Sequence, residues 1–215
     1  MIAVTWILNY AATNPEATIR YTKSDMVLWK AADASYLSEK NARSRAGAVF
    51  FLSNDPNTNN KQMKPNGPIA VIAKIIPTVM SSAMEAEVAS TFIAAKEAVP
   101  IRTTLEEMGH VQPPTPMQVD NSTAIGFVND TIKYKRSKAI DMRFHWVRDR
   151  VQQGQFNIYW VPVKENSLAD YVTKHHPPSH HVAMRNKFFH TQHLANMVVS
   201  YLLQGCDSRS YVHRR

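Results

Sequence analysis

The spacing of apolar residues along the chain alternates between the period of a strand and the period of a helix. Short apolar runs bounded by turn residues predict strands. The predicted strands are 19–22, 26–33, 47–52, 69–76, 117–120 and 156–161. Apolar residues at helical spacing predict helices that bury one face. The predicted helices are 84–99, 101–108, 121–128, 139–153 and 167–174.

The first of these helices carries its own start and stop signals. Ser82 followed by Glu85 is a capping box, in which the two side chains satisfy backbone N–H groups at the helix start. We expect Pro100 to kink or end the helix, because proline lacks an N–H donor and its ring collides with a preceding carbonyl. Gly109 is the expected stop of the second piece.

The order of the elements predicts an α/β fold. Strands in direct succession favour antiparallel pairing, and later strands that alternate with helices favour parallel pairing. We therefore expect a mixed sheet with helices covering it. A further helical stripe spans residues 194–202, and the polar residues 205–215 are expected to be disordered.

Composition and charge narrow the possible functions. The 215 residues are 44% hydrophobic and 20% charged, which is typical of a globular protein rather than a disordered or fibrous one. Lys and Arg number 25 against 17 Asp and Glu, a net charge of +8. This balance favours an anionic partner, whether nucleic acid, acidic lipid or acidic protein. The single cysteine, Cys206, excludes a disulfide framework and a cysteine-based zinc site.

Four acidic residues lie at the ends of predicted elements. They are Asp33, Glu87, Asp120 and Asp170. Carboxylates that follow neighbouring strands converge at one edge of an α/β sheet. Such a cluster repels itself unless a cation is present, and hard divalent ions such as Mg²⁺ prefer oxygen ligands. Two such ions can activate water and stabilise the leaving oxygen of a phosphodiester.

Six stretches around these acids carry a resemblance to a known family. The stretches are 32–35, 43–52, 81–88, 119–125, 138–148 and 159–174. In this order they resemble the ribonuclease H domain of retrotransposon polyproteins, most closely the Ty1/copia type. The resemblance implies a ribonuclease H-like fold with a mixed five-stranded sheet flanked by helices. Residues 6–10 and 19–21 also look like the end of the reverse transcriptase that precedes this domain in such polyproteins.

The resemblance implies a catalytic and metal-binding set made of the same four acids, Asp33, Glu87, Asp120 and Asp170. The implied reaction is hydrolysis of the RNA strand of an RNA–DNA hybrid, with two Mg²⁺ ions, which Mn²⁺ can replace, and with 5′-phosphate products. Each acid taken alone has a plainer explanation as a turn or strand-end residue. Glu85 and Glu87 compete for one place. Glu85 has a capping role as the partner of Ser82, and Glu87 matches the family's position better.

A basic run precedes and forms the predicted helix near residue 140. Residues 133–150 hold seven basic and two acidic side chains, a net charge of +5. A solvated helix face explains most such runs, but Tyr134 and Trp146 interleave with the charges and favour phosphate contact with a hybrid. The predicted nucleic-acid-binding residues are Ser35, Arg43, Asn121, Ser122, Lys135, Arg136, Lys138 and Arg143.

The expected organisation has three parts. Residues 1–18 are a remnant of reverse transcriptase, 19–178 form the ribonuclease H-like domain, and 179–215 form a tail with one helix. A group of histidines at 175, 176, 180 and 181 allows a transition-metal site, although a flexible tail is the favoured interpretation.

The expected partners are an RNA–DNA hybrid and the reverse transcriptase region of the same polyprotein, without a membrane. The N-terminus does not look like a signal peptide and no apolar run approaches a membrane span. The expected location is therefore the cytoplasm, with the nucleus and virus-like particles as alternatives. Two rival functions stay open, a catalytically silent nucleic-acid-binding module and an integrase-like core of the same fold.

Overall fold

The computed structural model describes residues 2–15, 17–56, 66–121, 126, 138–162 and 167–188. The strands in these ranges are β1 (Val27–Glu39), β2 (Arg43–Ser53), β3 (Pro68–Ile75), β4 (Thr115–Val119) and β5 (Phe156–Trp160). The helices there are α1 (Ile2–Thr13), α2 (Ala83–Glu107), α3 (Lys138–Gln152), α4 (Ser167–Thr173) and α5 (Pro178–Phe188).

The five strands form one mixed sheet in the order β3-β2-β1-β4-β5. The first three strands pair antiparallel, and β4 and β5 join β1 in parallel. Parallel neighbouring strands need a crossover connection. In sequence, α2 lies between β3 and β4, and α3 lies between β4 and β5. The predicted α/β, ribonuclease H-like arrangement of a mixed five-stranded sheet flanked by helices is therefore confirmed.

Both faces of the sheet are covered by helices, because successive side chains of a strand point to opposite faces. On one face, Leu28, Phe50 and Met117 pack with alanines of α2 and with Val147 of α3. On the other face, Val49 and Phe51 pack with side chains of α4 and α5. The sheet is thus the middle layer, and β1 lies at its centre.

The predicted strand at 19–22 is wrong. This segment does not form a strand, and Ile19 and Tyr21 are exposed. Side-chain hydrogen bonds attach it instead: the Tyr21 hydroxyl donates to the Pro68 carbonyl at 3.1 Å, and the Thr22 N–H donates to Asn66 Oδ1 at 2.9 Å. A four-residue alternation is too short to distinguish a strand from an extended segment.

The predicted end of the helix at Pro100 is also wrong, because α2 continues through it to Glu107. The alternative of a kink at Pro100 stays a prediction. Pro100 itself is exposed, while Ala95, Ala98 and Leu105 on either side are buried in the same core. Packing on both sides of the proline outweighs the loss of one hydrogen bond. The helix ends just before Gly109, as predicted.

Helix α5 lies in the segment for which a flexible tail was the favoured interpretation. Met184 of α5 is 4% exposed and packs with Phe51 and Leu168. The segment is therefore attached to the core as far as residue Phe188. The domain limits at 18 and 178 stay predictions. The stripe at 194–202 lies outside the described residues, as do 205–215 and almost all of the helix predicted at 121–128.

Within the described part of the chain, no helix has the length and apolar character that crossing a bilayer would require.

Candidate active site

Asp33 lies near the middle of β1, with its side chain on the face that α4 covers. It is 3% exposed. The Thr173 hydroxyl donates to Asp33 Oδ2 at 2.5 Å, and the Ser90 hydroxyl donates to the Asp33 backbone carbonyl at 2.5 Å. Both the carboxylate and the backbone of this residue are therefore held by helices on opposite faces of the sheet.

Glu87 reaches the same point from α2. The backbone N–H of Ala34 donates to Glu87 Oε1 at 3.3 Å, so the carboxylate lies against the residue that follows Asp33. Glu85 points elsewhere: its Oε2 accepts hydrogen bonds from the Ser81 N–H at 2.6 Å and the Ser81 hydroxyl at 2.7 Å. The capping role predicted for Glu85 is confirmed, with Ser81 in place of Ser82 as the group it satisfies.

Asp120 directly follows β4, the parallel neighbour of β1. The β1–β4 register pairs Ala31 with Gln118, and two further residues along both strands bring Asp120 level with Asp33. The Trp160 indole N–H donates to the Asp120 carbonyl at 2.9 Å, which attaches the end of β4 to β5. One carboxylate oxygen each from Asp33, Glu87 and Asp120 all lie within 4.8 Å of one another.

Burial and mutual repulsion shift the proton affinity of this cluster. Burial raises the pKa of Glu87 to about 9, and the negative charges of Asp33 and Asp120 add to the rise. Burial also raises the pKa of Asp33 to about 6, with smaller contributions from Asp120 and Asp170, while the Thr173 hydrogen bond lowers it. The charged forms of these carboxylates are thus disfavoured, and a bound cation would offset their negative charge.

Asp170 lies on α4 beside the other three acids but outside their 4.8 Å group. Its charge contributes to the raised pKa of Asp33, so the two carboxylates are near enough to interact through space. Its Oδ1 accepts a hydrogen bond from the ammonium of Lys174, one turn further along. The fourth predicted acid is therefore close to the cluster and already paired with a cation.

Gly47 allows α4 to approach the sheet at this point. It lies opposite Asp33 in the β1–β2 register. A Cβ atom at residue 47 would lie 2.4 Å from Thr173 Cγ2 and 2.8 Å from Val172 Cγ2. A side chain there would push α4 away, and with it the Thr173 hydroxyl and Asp170.

The donor set of the cluster fits a hard divalent cation. Every side chain is a carboxylate, which suits Mg²⁺ or Mn²⁺ and not the softer metals that select sulfur or imidazole. Three oxygens within 4.8 Å can face a single ion. Burial first, and the neighbouring acids second, raise the pKa of Asp33 and of Glu87, so the charged forms of both carboxylates are disfavoured without a nearby cation.

The predicted nucleic-acid-binding residues are only partly described. Ser35 lies two residues beyond Asp33 in β1 and is half-buried, and Asn121 follows Asp120 directly. Arg43 is exposed at the start of β2, and Arg143 of α3 donates a 3.4 Å hydrogen bond to Thr78 Oγ1. Ser122, Lys135 and Arg136 lie outside the described residues, and only the backbone of Lys138 is described. Ser35 and Asn121 thus adjoin the acids in sequence.

One of the two aromatic residues in the basic run, Trp146, has a packing role. Trp146 packs edge-on against Phe92 of α2, with ring centroids 5.3 Å apart, and Arg150 lies over its ring at 5.1 Å. Trp146 therefore belongs to the contact between α2 and α3 and is not a free stacking surface. Tyr134 lies outside the described residues, so the footprint predicted for residues 133–150 stays a prediction.

The histidines at the end of α4 and in α5 surround one tyrosine. His176 stacks on Tyr171 at 5.5 Å and on His180 at 4.1 Å, and His181 Nδ1 lies 2.7 Å from the Tyr171 hydroxyl. This arrangement joins α5 to α4 through ring contacts. Among the described residues, the only group of three or more potential metal ligands is the acidic one.

Sequence reasoning missed three polar residues at the site, namely Ser90, Thr173 and Lys174. Helical spacing contained a signal for each of them. Ser90 follows Glu87 by three residues, and Thr173 and Lys174 follow Asp170 by three and four, which places each on the same helix face as its acid.

No family model matches this chain. A curated relative is the retrovirus-related Pol polyprotein from transposon TNT 1-94 of Nicotiana tabacum, 28% identical over 196 residues. The match covers 91% of this chain and 13% of the relative, so the chain spans a small part of the polyprotein's length. The predicted resemblance to retrotransposon polyproteins is confirmed by this match.

Solved structures similar to this chain include ribonuclease H domains. The N-terminal ribonuclease H domain of a Mycobacterium tuberculosis protein has a TM-score of 0.48 at 16% identity, covering 68% of this chain and 95% of that one. A ribonuclease H1 from Halobacterium salinarum has a TM-score of 0.45 at 16% identity, covering 68% and 93%. LC11-RNase H1, isolated from compost and solved in complex with an RNA/DNA hybrid, has a TM-score of 0.49 at 13% identity, covering 67% and 92%.

Proposed function

We propose that this chain is the ribonuclease H domain of a retrotransposon polyprotein and hydrolyses the RNA strand of RNA–DNA hybrids in a divalent-metal-dependent reaction. The observation that carries the proposal is the group of Asp33, Glu87 and Asp120, whose carboxylate oxygens lie within 4.8 Å of one another. The similarity to the Pol polyprotein over nearly the whole chain supports the retroelement context.

The proposed metal ligands are Asp33, Glu87 and Asp120, with Asp170 as the fourth. Bound divalent ions would supply a Lewis acid for the scissile phosphate and a water of lowered pKa, the chemistry that yields 5′-phosphate ends. Mg²⁺ is the expected ion, and Mn²⁺ has the same preference for oxygen.

The protein's own groups prepare the carboxylates for this role. The Thr173 hydroxyl donates to Asp33 Oδ2 and thereby fixes the orientation of that carboxylate. The Ala34 N–H engages Glu87 Oε1 in the same way. Each hydrogen bond orients a carboxylate before an ion arrives, which lowers the cost of assembling the site.

The proposed substrate contacts follow from position and charge. Ser35 and Asn121 adjoin Asp33 and Asp120 and are placed to contact sugar or phosphate. The basic side chains Arg43, Lys135, Arg136, Lys138 and Arg143, together with Ser122, would bind the sugar–phosphate backbone. The proposed partners are therefore the hybrid and the reverse transcriptase region of the same polyprotein, acting in the cytoplasm or in virus-like particles.

Cleavage of a labelled hybrid tests the proposal. The 215-residue protein is incubated with an RNA–DNA duplex carrying a label on the RNA, with Mg²⁺ or Mn²⁺ or with chelator. We expect metal-dependent RNA fragments with 5′-phosphate ends, and a loss of at least about 100-fold in Asp33→Asn and Asp120→Asn. Cleavage that persists in these variants would contradict the site.

Two other outcomes identify the rival functions. Tight binding of the hybrid without cleavage at any metal concentration identifies a silent binding module. Metal-dependent joining of DNA ends to a target duplex identifies an integrase-like activity.

A further inference from the structure

Lys174 brings a positive charge of the chain itself into the acidic cluster. It directly follows the last residue of α4, and its ammonium donates to Oδ1 of Asp170 across one helical turn. Its side chain is 48% exposed, whereas that of Asp170 is 20% exposed. The charged head therefore meets the acid at the edge of the site while the stem remains accessible to water.

The ammonium of Lys174 also interacts electrostatically with the other acids. The hydrogen bond that the ammonium donates to Asp170 is the largest cause of the raised pKa of Lys174, and the charges of Asp33 and Asp120 contribute as well. In return, Lys174 lowers the pKa of Asp33 and of Glu87. One lysine thus offsets part of the repulsion among all four carboxylates.

An ammonium and a divalent ion that share the carboxylate of Asp170 place two like charges side by side. Mg²⁺ binds carboxylate oxygens at about 2.0–2.1 Å, which leaves no room for a second cation on the same lone pair. Like charges at such separations also repel strongly near a protein surface. An ion that uses Asp170 Oδ1 must therefore displace Lys174, whose flexible and half-exposed stem permits the move.

We propose that Lys174 is a positioning residue that competes with a divalent ion for Asp170, so that the ion ligated by Asp170 binds more weakly than the ion held by Asp33, Glu87 and Asp120. This inference rests on the proposed function only in taking the four acids as metal ligands. It adds a regulatory consequence, because occupancy of the Asp170 side would respond to metal concentration.

Manganese titration of the full chain tests the competition without using cleavage. Mn²⁺ binding is followed by electron paramagnetic resonance or calorimetry for the parent, Lys174→Met, Lys174→Arg and Lys96→Met. Lys96 is an exposed lysine on α2, nine residues or about 13 Å along the helix from Glu87. It controls for the loss of one positive charge elsewhere on the protein.

We expect Lys174→Met to bind the weaker Mn²⁺ ion about tenfold more tightly than the parent. Lys174→Arg and Lys96→Met should match the parent, and the gain should disappear in Lys174→Met combined with Asp170→Asn. Unchanged or weaker Mn²⁺ binding in Lys174→Met, or a gain that survives Asp170→Asn, would overturn the inference. Thermal unfolding of each variant confirms that the comparison concerns folded protein.

The result separates this inference from the proposed function. A parent that binds Mn²⁺ but cleaves no hybrid fails the proposed function, while the comparison of affinities still decides the role of Lys174. A gain of Mn²⁺ binding in Lys174→Met over a non-binding parent supports the competition. Absence of binding in both proteins refutes it.

Discussion

The hydroxyl of Thr173 donates a 2.5 Å hydrogen bond to the carboxylate of Asp33, joining residues 140 positions apart in the chain. Thr173 is 1% exposed and Asp33 is 3% exposed, so water does not replace this contact readily. The bond links α4 to the central strand and orients the acid at the centre of the site. Loss of this hydrogen bond should therefore change the chemistry of the site, although Thr173 lies far from Asp33 in the sequence.

Replacing Thr173 by valine should impair the site while preserving its shape. Without the donor, the pKa of Asp33 should rise above its value of about 6, because the hydrogen bond lowers it. A hydrogen bond to a charged group is worth about 1.5–3 kcal/mol, so we expect hybrid cleavage at neutral pH to fall roughly tenfold or more. The pH–rate profile of Thr173→Val should also shift to higher pH.

Thr173→Ser is the matched control, since it keeps the hydroxyl and should retain cleavage near the parent level. Equal rates and equal pH profiles for the parent and Thr173→Val would show that the hydrogen bond has no role in orienting Asp33.

Adding a methyl group at Gly47 should loosen α4. The new Cβ would lie 2.4 Å from Thr173 Cγ2, a distance that requires the helix to shift. Overpacking of this kind costs about 1–3 kcal/mol, and thermal unfolding of Gly47→Ala should reveal it as a lower melting temperature.

Serine lacks the Cγ2 atom that is closest to the added Cβ. The double variant Gly47→Ala with Thr173→Ser should therefore recover part of the stability lost in Gly47→Ala alone. A Gly47→Ala protein as stable as the parent would mean that α4 does not approach β2 as closely as described.

Replacing Lys30 by methionine should stabilise the protein. Lys30 is fully buried, its Nζ has no hydrogen-bond partner among the described residues, and Phe156 lies 5.2 Å below it. Burial lowers the pKa of this amine well below 10.5. An unpaired buried polar group costs about 1–3 kcal/mol, which methionine of similar shape avoids.

The pH dependence supplies a second readout for Lys30. Between the lowered folded pKa and the unfolded value of 10.5, the unfolded chain binds the extra proton, so stability of the parent should rise as pH rises through this range. Lys30→Met should lack that contribution, whereas the exposed Lys74→Met should keep it. A destabilised Lys30→Met with unchanged pH dependence would reveal a charged and paired lysine.

Magnesium should stabilise the protein more at high pH than at low pH. The pKa values of Asp33 and Glu87 are raised to about 6 and about 9, so their protonated forms contribute stability that is complete below about pH 4 and is lost as pH rises through those values. Bound Mg²⁺ replaces the missing positive charge. Thermal unfolding with and without Mg²⁺ should therefore show a larger increase at pH 8 than at pH 5.

The pH-dependent part of this increase should be smaller in Glu87→Gln, because the amide carries no charge to compensate. An increase that is independent of pH in the parent would contradict the assignment of these acids to the ion.

The fold was predictable wherever local pattern and tertiary packing agree. The strands around Asp33 and Asp120 and the capped start of α2 follow from periodicity and end signals. The segment 19–22 was wrongly predicted because four alternating residues do not distinguish a strand from an extended segment. The end of the helix at Pro100 was wrongly predicted because buried alanines on one side of the proline and Leu105 on the other support a continuous helix. Such long-range packing is absent from any short window of sequence.

The closeness of Asp33, Glu87 and Asp120 was predictable from the sequence, but their contacts were not. Helical phase did not separate Glu85 from Glu87, and only the position of α2 against β1 shows that Glu87 reaches Ala34 while Glu85 reaches Ser81. Trp146 favoured a hybrid-binding function for the basic run, yet it packs on Phe92. In both cases the deciding partner lies on another element, far away in sequence.

Comparison of Glu87→Gln with Glu85→Gln in hybrid cleavage tests the central claim most directly. The two glutamates lie two residues apart on α2 and undergo the same chemical change, and thermal unfolding of each variant confirms that both proteins are folded. The account predicts that Mg²⁺-dependent cleavage of the RNA strand falls at least about 100-fold in Glu87→Gln and by less than about threefold in Glu85→Gln. Equal losses in the two variants, or full activity in Glu87→Gln, would contradict it.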